Sequence, residues 1–496
     1  MTITKGCFES KHRKINLLNF NAKLFNICGI IPNENVKASF WKSILFRGFQ
    51  IVSFLVYIFI VILQILGLYF YWGNITLFTD CLGLIAAFAI SYTSTTYFIF
   101  YWKDVSKLIE AFETNSIYST EFIRLNQRHM KIVSDTKNFT LLLSKLACLS
   151  TLLAGIIYIS PTFIQHLMAS DKQILEEIEG AEGFTKYFVF VMWIPPILKQ
   201  PYMIRLTYVL QVMCASTAFI FGAAFVPLEY VLILYTGKQF KLVSSAIQDM
   251  DKLCSLQNLD KIVDNVSEQM DSPNYSRRFL PEHIRVRKRE LGTEEGNPNA
   301  TEGQWNKQFN SKTFDNTLQA HDINRSSGKS DDISSAEPTP WEENDFASSY
   351  LLQCIKLHQA CIQLAAEVDD ILSPVNGLGS LCATSFIITH VFQLSLVITA
   401  KYVSFTLTFV IIIFVYNWCG QTVILESTAV GETAYDCLWY ERSKRFKRLF
   451  LMVLLRAQTP VIMNAGILWT VGYEHFGQLL NAMYTFSTVL RQVHNT

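Results

Sequence analysis

The chain has 496 residues, half of them apolar and 14% aromatic, with only 17% charged and a formal net charge of +1 at pH 7. A mean hydropathy of +0.24 is too apolar for an ordinary soluble protein and reads as a polytopic membrane protein. The near-zero charge argues against a nucleic-acid partner, and the eleven scattered cysteines, with no CxxC pair and no metal spacing, read as reduced thiols facing lipid or core.

The N-terminal stretch "MTITKGCFESKHRKINLLNF" is basic and interrupted by polar residues, so it is not a secretory signal peptide. A bilayer-crossing helix needs about 20 mainly apolar residues. Stretches approaching that length lie near 46–72, 78–101, 139–163, 203–235, 376–399, 402–425 and, less cleanly, 474–493. The fold class predicted is an all-α, seven-transmembrane helical bundle. The apolar patch "RLFLMVLL" at 448–455 reads as a cytoplasmic half-helix leading into the last span.

Orientation follows from Lys and Arg near the span ends. Lys5, Lys11, Arg13, Lys14, Lys23, Lys37, Lys42 and Arg47 precede the first span; Lys103, Lys107, Arg124, Arg128, Lys131 and Lys137 link the second to the third; "ERSKRFKR" at 441–448 precedes the seventh. The loop "GNITLF" at 73–78 has no basic residue, and the loop between spans five and six has only Lys401. A cytoplasmic N-terminus is predicted, with the C-terminus outside, the reverse of a G-protein-coupled receptor. The sequons at Asn138, Asn265, Asn274, Asn299 and Asn324 fall on the cytoplasmic side of this scheme and weigh less than the Lys/Arg asymmetry, whereas Asn74 fits it.

Composition divides the chain into a cytoplasmic N-terminal segment at 1–45, spans one to four with an extension of the fourth at 46–265, an insert at 266–345, and a cytoplasmic helix with spans five to seven at 346–496. The insert is polar and rich in Asn, Ser, Gly and Pro, so disorder is expected there. After it, Cys354, Leu357, Cys361, Leu364, Val368 and Ile371 recur three and four apart, the stripe of a packed cytoplasmic helix.

No Gly-rich phosphate loop, HExxH or paired CxxC is present, and the nine histidines are dispersed. No enzymatic activity, metal or cofactor is expected. No arginine-repeat voltage sensor, TVGYG-like filter, Asp-Arg-Tyr or Asn-Pro-x-x-Tyr motif appears either. Among charges in the spans, Lys145 can snorkel, Glu229 after Pro227 reads as a satisfied interfacial carboxylate or a functional group, and Asp80 reads as a solvated helix start.

In the outer halves of four spans, spacings of three and four gather Phe88, Ser91 and Tyr92, then Thr151, Ala154 and Tyr158, then Tyr208 and Gln211, and last Tyr402 and Phe405. Aromatic walls with a few hydroxyls suit a small volatile hydrophobic ligand, and ordinary helix packing is the competing reading. The last span is broken by Asn481, Thr485, Ser487, Thr488 and Gln492, which fits either a water-filled path or polar helix packing.

"ESTAVGETAYDCLWY" at 426–440, the basic half-helix, and "QTPVIMNAGILWTVGYEHFGQLLNAMYTFSTVLRQV" together resemble the C-terminal signature of insect odorant receptors. The matching features are Ala434 with Trp439 and Tyr440, Pro460, Ala465, Gly466, Phe476 and Tyr484-Thr485-Phe486-Ser487. The resemblance implies a multi-pass plasma-membrane protein that assembles with a shared odorant receptor co-receptor as a heterotetrameric, odorant-gated, nonselective cation channel. It implies a pore lined by the last helix with gate positions at Val489, Gln492 and Val493, a ligand pocket at the residue cluster above, and a subunit anchor containing Trp439 and Tyr440. Membrane lipid is the remaining partner.

The long insert is typical of the co-receptor, but the C-terminal segment is less similar to it, so the odorant-binding tuning subunit is the reading. Phe486 and Val493 stand where the allied gustatory receptors usually have Tyr and Phe. A gustatory-type receptor channel, a G-protein-coupled receptor and a transporter are the alternatives, the last expected to show internal repeats that this sequence lacks.

Overall fold

The computed structural model describes residues 18–32, 36, 38–115, 123, 126–177, 186–270 and 346–495, with 256–270 entering only as helix. The remainder of the insert, 271–345, lies outside the described residues, with the sequons Asn274, Asn299 and Asn324 and most of the basic N-terminal tail.

Eleven α-helices carry the described chain. They are α1 (Asn19–Ile27), α2 (Phe40–Phe70), α3 (Ile75–Phe100), α4 (Trp102–Glu110), α5 (Gln127–Met168), α6 (Asp171–Glu177), α7 (Pro201–Met270), α8 (Phe346–Leu396), α9 (Ala400–Tyr435), α10 (Lys444–Ala457) and α11 (Tyr473–Asn495). Six of them, α2, α3, α5, α7, α8 and α9, are long and apolar enough to cross a membrane. The last, α11, has 23 residues but not that apolarity, because its polar residues recur along the whole helix.

Side chains set several helix starts by accepting the first free backbone N–H groups. Asn74 Oδ1 accepts from Leu77 N at the start of α3, and Asn126 Oδ1 from Arg128 N at the start of α5. Thr399 Oγ1 does the same for α9 and Ser443 Oγ for α10. The turns at 71–74 and 397–399 share one end of the bundle, called here the loop end; α4, the start of α5 and α10 lie at the other, the stem end.

One compact unit comprises 1–252 and 347–496 and holds the apolar runs of the six long helices. The second unit, 253–346, holds the far end of α7 and otherwise undescribed chain. Of the six, α7 is the most buried and α2 the least, so α7 forms the axis and α2 faces outward with Leu55, Ile58 and Ile62 exposed. At the stem end the sequence-read stripe of α8 buries Cys354, Leu357, Cys361, Leu364 and Val368; Ile371 is only half-buried, and Leu372 takes the next inward position. Lys238 of α7 and Glu426 of α9 pair at 2.6 Å there, and Arg442 pairs with Asp251 at 2.6 Å. All ten described cysteines are free thiols.

Between α10 and α11 the chain makes a small hairpin, Asn464–Ala465 against Trp469–Thr470, that returns it to the middle of α9. Asp369 of α8 accepts from both the backbone and side-chain nitrogens of Asn464 at 2.6 Å. The hairpin lies so close to α8 that a Cβ on Gly377 would be 2.6 Å from the Cα of Gly466, which itself has φ of +66°. Only glycine satisfies both conditions at position 466. Asn417 and Gln421 of α9 then accept from the N–H groups of Gly472 and Tyr473, fixing where α11 begins.

Candidate functional site

A cavity of about 130 Å³ lies inside the bundle. Its walls come from α3 (Ala87, Phe88, Ile90, Ser91, Ser94), α5 (Thr151, Ala154), α7 (Ala218 to Tyr230), α8 (Val375, Asn376, Gly379, Ser380, Ala383) and α9 (Phe405 to Asn417). His475 and Leu479 of α11 close it at the stem side. From Ala218 to Glu229 the α7 wall advances eleven residues, about 16 Å at 1.5 Å per residue, so the cavity is long and narrow. Its volume is similar to the ~150 Å³ apolar cavity that admits benzene.

Of the residues read from sequence as ligand-binding, Phe88, Ser91, Thr151, Ala154 and Phe405 line this cavity. Tyr158 stands just behind the wall, its ring 4.7 Å from that of Phe405. Tyr92 is buried against α7, its hydroxyl 2.6 Å from Thr217 and its ring stacked on Tyr57 at 3.9 Å. Tyr208 stacks on His166 at 3.9 Å, nearer the loop end. Gln211 holds the segment that roofs the cavity, and Tyr402 donates to Asp80.

That roof is the non-helical stretch from Phe188 to Ile194, in which every residue but Trp193 is fully buried. A buried backbone without helix or sheet must find side-chain partners, and here it does. Gln211 Oε1 accepts from the N–H groups of Val189 and Phe190, and its Nε2 donates to the Phe190 carbonyl. Cys81, Tyr71 and Lys401 donate to the carbonyls of Val191, Met192 and Val189. The Phe190 ring then meets Phe88 at 4.6 Å.

Two expectations about charge are overturned at this roof. Asp80 is not a solvated helix start: it is 1% exposed in the second turn of α3. Lys401 is not in an open loop: it lies in the first turn of α9, 7% exposed. The roof segment and the ends of α3 and α9 exclude water from both. Tyr402 donates to Asp80 Oδ1 at 3.3 Å, and the Lys401 ammonium sits 4.7 Å from the Tyr158 ring centroid while donating to Val189 O at 3.2 Å. A desolvated ammonium gains from an aromatic face, and the Asp80 charge acts on it across the gap.

The sequence reading missed the walls supplied by α8 and α11. For α8 the signal was the row of small residues Asn376, Gly379, Ser380 and Ala383, spaced for one helix face. On α9 the wall read at Phe405 continues through Thr408, Phe409, Ile412 and Tyr416. Near the stem end Trp439 stacks on Phe450 at 5.2 Å, while Tyr440 is exposed. On α11, Val489 and Val493 are exposed on the single chain and Gln492 lies beside them.

A family model for 7tm odorant receptors matches residues 74–484. The chain belongs to the 7tm odorant receptor family. This odorant receptor is 25% identical over 152 residues to Odorant receptor Or2 of Anopheles gambiae, covering 29% of this chain and 39% of that one. To Odorant receptor 10 of Aedes albopictus it is 31% identical over 163 residues, 31% of this chain and 42% of that one. It also matches the Odorant receptor coreceptor of Anopheles gambiae at 22% over 199 residues, 39% and 40% of the two chains. These matches span about two fifths of each relative's length.

In fold the receptor is similar to the insect olfactory receptor OR5 from Machilis hrabei in complex with eugenol. The TM-score is 0.61 and the identity 12%, over 96% of this chain and 98% of that one. With six long apolar helices and this family membership, the receptor is a multi-pass protein of the plasma membrane.

Proposed function

We propose that this odorant receptor is the odorant-binding subunit of a heteromeric ligand-gated nonselective cation channel, assembled with the co-receptor. A small volatile ligand occupies the cavity between α3, α5, α7, α8 and α9. The observation that carries this reading is the continuity of the cavity with α11: a mostly apolar, roofed space ends on His475 and Leu479 of the helix that would line the pore. A ligand that fits better when α11 takes its open position shifts the population toward the conducting state.

Orientation with the N-terminus in the cytoplasm is supported by the stem end, where Lys444, Arg445, Lys447 and Arg448 of α10 join Lys103 and Lys107 of α4. The exposed face of α11, with Tyr484, Phe486, Val489 and Val493, suits packing around an axis shared with other subunits. Trp439 and Tyr440 stand where the stem end would anchor neighbouring subunits.

Whole-cell recording during an odorant panel tests the reading. Current is expected when the receptor and co-receptor are expressed together and not with this chain alone, and substitution of Val489 or Gln492 is expected to change ion selectivity or conductance by severalfold. Current that requires a G protein, or selectivity unchanged by both substitutions, would contradict it.

A further inference from the structure

The cavity is apolar through most of its length, yet its stem-side floor gathers polar groups that the protein leaves without partners. Glu229 of α7 lines it at 8% exposure and makes no hydrogen bond or ion pair among the described residues. The Tyr416 hydroxyl is buried without a partner and lies within electrostatic reach of that carboxylate. His475 Nε2 is likewise buried and unpartnered. Asn376 adds an amide, 7% exposed and with no bond to a described residue. No Lys or Arg lines the cavity.

The chemistry of this floor can be assigned group by group. Asn417 Oδ1 accepts from the Gly472 N–H, which fixes that atom as oxygen. His475 Nδ1, 3.1 Å from the same oxygen, must therefore carry a hydrogen and donate. The neutral ring then presents Nε2 as an acceptor. An ionised carboxylate adds two acceptor oxygens, and the Tyr416 hydroxyl and Asn376 amide can accept as well as donate, so together with His475 Nε2 the floor can offer several acceptors to one bound donor group.

Buried polar groups are nearly always satisfied, and several unsatisfied together around a cavity mark a place for a bound polar group. An ionised carboxylate in an apolar site also lacks a compensating charge. A protonated primary amine supplies three donors, no acceptor and one positive charge. An alcohol supplies one donor and no charge.

We infer that Glu229, Tyr416, His475 and Asn376 form a head-group subsite at the cavity floor, selective for small ligands that carry a primary amine on an apolar body. The aromatic upper walls, Phe88, Phe219, Phe405 and Phe409, hold the body. Because His475 belongs to the first turn of α11, an amine seated there touches the helix directly. The inference rests on the reading of the cavity as the ligand site.

The test uses the full-length tagged receptor in its purified assembly and follows its thermal unfolding as 2-phenylethylamine or 2-phenylethanol is titrated in. The two probes have the same body and differ in the head. The amine is expected to stabilise the receptor at a concentration about tenfold or more below the alcohol, the range of a charge-assisted hydrogen bond. In Glu229→Gln, which keeps the shape and removes the charge, the preference for the amine over the alcohol is expected to vanish. Tyr416→Phe, a smaller change, is expected to weaken the amine severalfold and serves if Glu229→Gln does not fold.

Equal affinity for the two probes, no stabilisation by the amine, or a preference that survives in the variants would overturn the subsite. Amine-selective binding without odorant-evoked current would leave the subsite standing and remove the channel reading.

Discussion

Replacing Lys401 with Met is expected to cost about 1–3 kcal/mol of stability, the loss that follows when a buried polar group is left without its partner. Asp80 is the charge left behind, 1% exposed, with Oδ2 lacking any hydrogen-bond partner. The substitution also removes a donor from the Val189 carbonyl, so the roof loses one of the bonds that hold it. The measurement is the thermal unfolding of detergent-solubilised receptor, with surface expression followed in parallel.

The double variant Asp80→Asn with Lys401→Met is expected to recover much of the loss, because the buried charge is gone and Asn can still accept from Tyr402. A double-mutant cycle separates that coupling from the lost bond to Val189. Additive losses in the cycle would mean that the two charges do not compensate each other.

The second large effect is expected at Gly377. Alanine there would place its Cβ 2.6 Å from the Cα and 2.8 Å from the N of Gly466, both backbone atoms that no rotamer change can move. Either α8 or the hairpin shifts, which in packed interiors costs about 1–3 kcal/mol. The shift also strains the Gly466 N–H to Ser373 O bond of 2.8 Å and disturbs the seat from which α11 starts. Gly48→Ala is the matched control: nothing lies within 4 Å of the added methyl, and Ala is the better helix former by roughly 1 kcal/mol. Reduced unfolding temperature and reduced odorant current in the first variant, with neither in the second, is the expected result. A Gly377→Ala receptor as stable as the wild type would show that the hairpin is not seated as described.

Much of the bundle was legible in the sequence because runs of about 20 apolar residues are rare outside membrane-crossing helices. Where those helices begin and end was less so. The span predicted from 139 belongs to a helix that starts at Gln127, and the cytoplasmic helix and the span predicted from 376 are one continuous helix from Phe346, because the polar ends outside the apolar run stay helical by packing on one face. The aromatic cluster around Phe88, Thr151 and Phe405 was legible from spacing, since residues three and four apart must share a face.

The roof was not. "FVFVMWI" is too short to cross a membrane and too apolar for an ordinary loop, and its main partner, Gln211, lies on another helix. The same gap hid Asp80 and Lys401. A lone charge near a span end reads as solvated until the tertiary structure lays a buried segment over it. Glu229 is legible as a charge inside a span, but its meaning depends on His475 and Asn376, which only the fold brings to the same cavity.

The most direct test of the central claim, that a ligand in this cavity opens the channel, is the odorant concentration–response of Gly222→Phe co-expressed with the co-receptor, at verified surface expression. Gly222 lines the cavity, and a Cβ there meets only ordinary contacts, with Thr151 Cγ2 at 3.5 Å, so the benzyl group extends into the space a ligand would fill. Loss of the response to every odorant that activates the wild type, with Gly222→Ala still responding, is the result expected. An unchanged concentration–response in Gly222→Phe would place the ligand elsewhere.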